Sequence, residues 1–440
     1  MKFIYIFIVI TTLIDAYEYK LIPSKRSYSP IDRLLAKSVA DMHTIPQDPS
    51  YYAKQIKPIS WSRQLEYDKE YNKRYFKPWS LKSLDEPYAE LTWQFKFVDK
   101  KVIYSSKNHK ISKSTIQRWK ENSNFDKLNS VKAYAITIKH SNLRAFPTST
   151  HAYRDPWKNT EGFPFDYFQH SEIHINVPLF ISHYSKDKKW AFVEASHASG
   201  WIKMSDIAPV DSRFIKRFKS GKYMITTVDD MALYNGKKRV SLIKMSTIFP
   251  LTKDGKKIMV ATKDVRGRAK IATFTPPPHK YIAKKPLRFN SYNVAKAVKE
   301  MYNEPYGWGG LYKTRDCSAL TRDFFALFGI FLKRNSAKQA REGIHKNIAR
   351  LPKQIKKQAI INNALPFRSM LYVPGHITLY LGSYKNEPII FHNYWGIRLK
   401  DWSKYPLCRA IITTTEPGKE LPNIREKSKL INTLQQIITF

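Results

Sequence analysis

The chain has 440 residues, of which 42% are hydrophobic and 14% aromatic, with a formal net charge of +40. That composition excludes an intrinsically disordered chain, and the length allows roughly two to four domains around a substantial core. So cationic a surface favours an anionic partner (nucleic acid, anionic lipid or acidic polymer), but the lysines run through the whole chain with no compact arginine-rich arm. The N-terminal "MKFIYIFIVITTLIDA" carries Lys2, an apolar run from Phe3 to Ile14 and a small residue at Ala16. The run falls short of the ~20 residues of a membrane span and suits a signal-peptide core. Residues 1–16 are therefore expected to be a cleaved signal peptide, giving a periplasmic or secreted protein with no integral membrane span. No cysteine follows the run, which argues against a lipoprotein anchor.

Residues 17–127 are expected to form a small, partly helical N-terminal unit, with short helices near "DRLLAKSVADMHTI" and "SKSTIQRWKENSNF". From about 130, "VKAYAITIKH", "KWAFVEASHASGWIKM" and "YMITTVDDMALY" alternate with period two between Gly, Asn and Asp breaks. "KKIMVATKDVRGRAKIATF" reads as two strands joined at Arg266-Gly267. Short strands with close turns predict two small antiparallel barrels, at 128–211 and 212–276. "TPPPHKYIAKKP" reads as a linker. A final α+β domain is expected over 277–425, opening with a helix that puts Val294, Ala297, Val298 and Met301 on one face, and residues 426–440 read as a tail.

Only two cysteines occur. Cys317 follows Gly307, Gly309 and Gly310, and "SALTRDFFALFGI" after it places Leu320, Phe324, Leu327 and Phe328 at helical spacing. A thiol at a helix N-terminus meets the favourable end of the dipole and free N–H groups, a suitable place for a nucleophile. Cys408 lies in the strand-like "PLCRAIITTT" and reads as a small buried hydrophobe rather than a disulfide partner. A cysteine nucleophile needs an imidazole base oriented by a third group. "PGHITLYLGSYKNEPIIFHNYWGIR" offers His376 at the start of one strand-like run and His392 at the end of the next. Neither CxxC nor HExxH occurs, and neither a phosphate loop nor a dinucleotide fingerprint, so no metal or cofactor is expected.

The set "YGWGG…DCSAL…RNSAKQ…PGHITLYLG…FHNYWGIR" resembles the NlpC-type cysteine peptidases, a papain-like group acting on bacterial cell-wall peptides. The middle of the chain resembles the bacterial SH3-like domains that accompany this catalytic domain in one subgroup. The resemblance implies an exported peptidoglycan hydrolase that cleaves the γ-D-glutamyl–diaminopimelate bond of stem peptides; members of that subgroup often need a free L-alanine amine. It implies Cys317 as nucleophile, His376 as base, His392 as orienting residue and Tyr306 as oxyanion donor. Trp308, Asp316, Ser318, Arg334 and Ser336 match substrate-binding positions, Asp316 being suited to pair with an ammonium. Glu194 and Trp201 are the guesses for the SH3-like residue that caps that amine. Two positions depart from the family pattern: Ala319 replaces a glycine, and Lys333 stands where proline often precedes Arg-x-Ser. The expected partner is the peptidoglycan stem peptide, not nucleic acid. The rival readings are an inactive wall-binding protein and a thioester acyltransferase on the same scaffold.

Overall fold

The computed structural model describes residues 19–24, 36–84, 86–158 and 160–440. The expected signal peptide lies outside the described residues. The N-terminal unit carries several helices, but of the expected "DRLLAKSVADMHTI" helix only the single turn Asp41–Thr44 forms; 36–40 are not helical and 32–35 lie outside the described residues. Its longest helix, Trp61–Tyr75, is capped by Ser60, whose side chain accepts from the Arg63 N–H at 3.3 Å. That helix passed unnoticed in the sequence, because its buried face is made of Gln64, Asp68, Tyr71 and Tyr75 rather than aliphatics. The "SKSTIQRWKENSNF" helix runs over Lys113–Asn122 with Ser112 as cap. A short strand β1, Tyr19–Pro23, leaves this unit to pair with β10 of the second barrel-like unit.

The first barrel-like unit holds β2 (Ala133–Thr137), β3 (Ser141–Arg144), β4 (Gln169–Ile173), β5 (Pro178–Tyr184), β6 (Trp190–Glu194), β7 (Ser199–Lys203) and β8 (Ile207–Pro209). They form one sheet in the order β4-β3-β7-β6-β5-β2-β8. The second unit holds β9 (Tyr223–Thr226), β10 (Met231–Asn235), β11 (Lys238–Ile243), β12 (Ile248–Pro250), β13 (Ile258–Lys263), β14 (Ala269–Phe274) and β15 (Ile282–Lys284), split among three small sheets. The strands are where the alternation put them, but neither unit closes by hydrogen bonds into the barrel expected. Strand β15 comes from the stretch read as a linker: three prolines precede it, and Ile282–Lys284 then pairs with β9. The linker reading is corrected accordingly.

The C-terminal domain packs helices on a six-stranded sheet, β16 (Ile344–Asn347), β17 (Ser369–Val373), β18 (His376–Tyr384), β19 (Glu387–Arg398), β20 (Lys404–Thr414) and β21 (Gln436–Thr439). The order is β16-β21-β17-β18-β19-β20, so residues 436–439 sit inside the sheet and the tail reading is also corrected. Helix Ser291–Met301 buries Val294, Ala297, Val298 and Met301 to 2% exposure or less, as its periodicity predicts. The helix Cys317–Leu327 is buried along its whole length, with Leu320, Phe324 and Phe325 fully enclosed. Each such side chain contributes roughly 1.5–3 kcal/mol through burial. The helix that Cys317 starts is thus held in the core, and its first turn lies beside β18. The expected α+β, multidomain organisation is what the structure shows.

Candidate active site

Asp316 ends the loop before the nucleophile and caps the helix, its Oδ1 accepting from the Ala319 N–H at 2.8 Å. The cap fixes Cys317 as the first helical residue, 7% exposed. Both cysteines are free, which agrees with the reading of Cys408 as a buried hydrophobe. Opposite lies a tight hairpin: β18 and β19 are joined through Lys385 and Asn386, both at positive φ, as a two-residue hairpin turn demands. His392 is central in β19, six residues short of its end, because the alternation continues through Trp395 and Ile397. Leu379 pairs with Phe391, so His392 stands beside Thr378, two positions from His376 on the same face.

This diagonal brings the imidazoles together, His376 Nε2 and His392 Nδ1 being 2.9 Å apart. The chain continues, with His392 Nε2 lying 3.0 Å from Thr413 Oγ1 on β20. Thr413 donates its single hydroxyl proton to the Thr414 carbonyl at 2.8 Å. It must therefore accept from His392 Nε2–H, which leaves His392 Nδ1 as an acceptor for His376 Nε2–H. The lone pair of His376 is then on Nδ1, free to act as a base. Sequence reading missed Thr413; a threonine among three in "IITTT" gives no signal until the register of β19 and β20 is known.

Burial pushes the Cys317 thiol up to about 12, reinforced by the Asp316 carboxylate and opposed by the N–H groups of Ile377 and Ser318. Burial also drives His376 down to about 3, with the Lys404 cation adding to it. The resting pair is a thiol beside a neutral imidazole rather than a preformed thiolate–imidazolium. Tyr306 is buried and its phenol pushed well above the usual range by burial and by Cys317, so it remains a proton donor.

The remaining expected residues divide into two groups. Arg334 grips Asp316 with both Nη atoms, at 3.0 and 2.7 Å, and also donates to Ser318 Oγ at 2.8 Å and Ser171 Oγ at 2.9 Å. Asp316 is thus both helix cap and ion-pair partner. Trp308 is half-buried against Phe165 and Tyr167. Ser336 opens a short helix, but it is its neighbour Asn335 that lines the adjoining cleft. That cleft, about 360 Å³, is lined by the N-terminal unit, the first barrel-like unit and the C-terminal domain, and is walled by Glu86, Glu194, His197, Lys333 and Arg334. Lys333, the unusual residue before Arg334, donates to the Ser196 carbonyl of the first barrel-like unit at 3.2 Å. Trp201 is fully buried against Phe125, Phe192 and His183, so it braces the sheet and cannot touch a ligand. Glu194 lines the cleft and is pushed up to about 7 by burial and by Glu86.

Sequence reading also missed the anchorage of the nucleophile loop. Arg315 is fully buried and reaches Asp323 at 2.7 Å, Glu304 at 2.9 Å and both oxygens of Asp229, at 2.6 and 2.8 Å. Its carbonyl accepts from Asn393 Nδ2 at 2.8 Å, next to His392. One residue thus ties the nucleophile loop to the histidine strand and to the second barrel-like unit.

Comparison with known families accounts for most of this organisation. Residues 3–128 match the N-terminal NLPC_P60 stabilising domain, 151–203 an SH3 domain of SH3b1 type and 303–406 the NlpC/P60 family. No curated protein matches the chain in sequence. Among solved structures, the fold is similar to an NlpC/P60 endopeptidase from Photobacterium damselae subsp. piscicida, with TM-score 0.82 and 21% identity over 92% of this chain and 99% of that one. An NlpC/P60 family protein from Bacillus cereus ATCC 10987 also matches, with TM-score 0.46 and 13% identity over 70% of this chain and 99% of that one. The chain thus carries an N-terminal NLPC_P60 stabilising domain, an SH3b1-type SH3 domain and an NlpC/P60 domain, in that order.

Proposed function

We propose that this protein is an exported peptidoglycan hydrolase that cleaves the γ-D-glutamyl–diaminopimelate bond of stem peptides through a Cys317 thioester. The carrying observation is the ordered proton chain Thr413–His392–His376, which leaves one imidazole lone pair on the strand beside a helix-start thiol. In this reading His376 takes the thiol proton as Cys317 Sγ attacks the amide carbon. Backbone N–H groups at the helix start and the Tyr306 hydroxyl hold the oxyanion. His376 then gives its proton to the leaving amine, and water activated by the same ring hydrolyses the thioester. Within the described residues no helix is long and apolar enough to cross a membrane.

The relay gives a direct prediction. Thr413→Val keeps the shape of the side chain but removes the acceptor for His392. Turnover of a stem tripeptide is expected to fall about tenfold or more, with KM and the melting midpoint little changed. An unchanged kcat would count against the assigned tautomer.

The amine requirement rests on Glu194 in place of Asp316. Its carboxyl ionises only near pH 7, so below that it is neutral and recognises an ammonium poorly. For L-Ala-γ-D-Glu-diaminopimelate, kcat/KM is expected to rise as pH increases through about 7. Steady-state assays of Glu194→Gln should show that limb gone. Capping the alanine amine with an acetyl group should lower kcat/KM by about tenfold or more in the parent and far less in the variant. Equal cleavage of free and acetylated peptide by the parent protein would remove the amine requirement.

A further inference from the structure

Away from Cys317, three side chains of the first barrel-like unit converge. His140 precedes β3, Glu172 lies in β4 and His174 follows it; Ser141 pairs with Ile173, so positions 140 and 174 meet at one end of the strand pair. One imidazole nitrogen of each histidine and a carboxylate oxygen lie within 4.8 Å of one another. The Glu172 side chain is fully buried, and those of His140 and His174 are 6% and 10% exposed. Both Glu172 oxygens, both His140 nitrogens and His174 Nε2 are buried without making a hydrogen bond. Their mutual contacts are loose: His140 Nε2 is 3.3 Å and His174 Nε2 3.9 Å from the carboxylate.

The neighbouring cations are committed elsewhere. Lys244 holds Glu304 at 3.0 Å, Arg315 is saturated by three carboxylates, and Arg322 pairs with Asp323 at 2.9 Å while staying 3.7 Å from Glu172. The tautomer of His174 is set from behind. Thr247 gives its hydroxyl proton to the Lys244 carbonyl at 2.7 Å, so it accepts from His174 Nδ1–H at 3.3 Å. With Nδ1 turned to Thr247, Nε2 is the ring atom that faces the Glu172 carboxylate, at 3.9 Å, and is the one open to a bridging cation.

We propose that His140, Glu172 and His174 bind a divalent transition-metal ion of the zinc class, with Thr247 orienting His174 from the outer shell. Two imidazoles and one carboxylate are a recurrent donor set for zinc, with a fourth position left for another ligand. His140 lines an open cleft of about 360 Å³ with Asn142, Arg144 and Gln169, which provides an entry path. The ion acts as a brace. A Cβ at Gly310 would lie 2.6 Å from the Glu172 Cβ, so the loop leading to the nucleophile rests its backbone directly on this ligand.

The test uses the full chain carrying Cys317→Ala, so that the catalytic thiol cannot bind the added metal. After chelation and dialysis, zinc is titrated in and read by calorimetry, elemental analysis and the melting midpoint. One zinc per chain and a raised midpoint are expected. Adding His174→Asn or His140→Gln should weaken zinc affinity by at least about a hundredfold. His140 makes no side-chain hydrogen bond, so His140→Gln keeps the test open if the His174 variant fails to fold. Absence of zinc binding by the folded Cys317→Ala protein, or binding indifferent to both substitutions, would overturn the site and leave a histidine–carboxylate ion pair.

Discussion

Cys317→Ala is expected to abolish stem-peptide cleavage, a loss of about a thousandfold or more, while leaving the melting midpoint close to that of the parent. The side chain is small, and the helix that carries it is held by the Asp316 cap and by Leu320, Phe324 and Phe325, none of which the substitution touches. His376→Ala should be as damaging, since burial pushes the resting thiol up to about 12 and His376 is the base assigned to take its proton. The pattern separates an enzyme from a wall-binding protein that merely retains the fold. A thiol-directed probe adds a second reading of the same point: it should label the parent protein and miss Cys317→Ala, because Cys317 starts a helix beside the histidine strand whereas Cys408 lies within β20. If parent and variant process the peptide equally, or neither does, Cys317 is not a working nucleophile.

The second large effect concerns stability. Arg315→Met is expected to destabilise the protein by about 3–5 kcal/mol, because Asp229, Glu304 and Asp323 would keep their burial and lose their shared cation. Burial already raises Glu304 even with Arg315 and Lys244 opposing it, so it is the first group that would take up a proton. The damage should be greatest at neutral pH, where Asp229 and Asp323, both held low with Arg315 in place, are ionised. It should shrink as acid neutralises the buried charges left without their cation. Thermal unfolding from pH 5 to 8 checks this. A variant that melts with the parent at every pH would show that the network adds nothing to stability. Because Arg315 precedes the nucleophile by two residues, kcat should also fall in whatever fraction remains folded.

How much of this was legible beforehand follows from what each feature depends on. The nucleophile helix, the β18–β19 hairpin and the pairing of His376 with His392 are local, written in periodicity and a turn, and they could be read from one stretch at a time. Thr413 and Arg315 depend on register and on contacts between distant segments, for which a single sequence carries no local mark. The same reason hid β15 and β21. Three prolines and a Lys-rich context look like a linker, and a short apolar stretch at the end of a chain looks like a tail, until a partner strand is supplied. The Asp316–Arg334 pair, 18 residues apart, was likewise hidden until the fold closed it. Glu194, the guess for the amine cap, comes from the first barrel-like unit and lines the adjoining cleft. Trp201 was set aside by burial alone.

The measurement that tests the central claim most directly is mass spectrometry of the products released from L-Ala-γ-D-Glu-diaminopimelate by the purified protein. The account predicts the dipeptide L-Ala-γ-D-Glu and free diaminopimelate, with an acyl adduct of the dipeptide on Cys317 in samples quenched early. Cleavage at any other bond, or turnover that persists in Cys317→Ala, would contradict it.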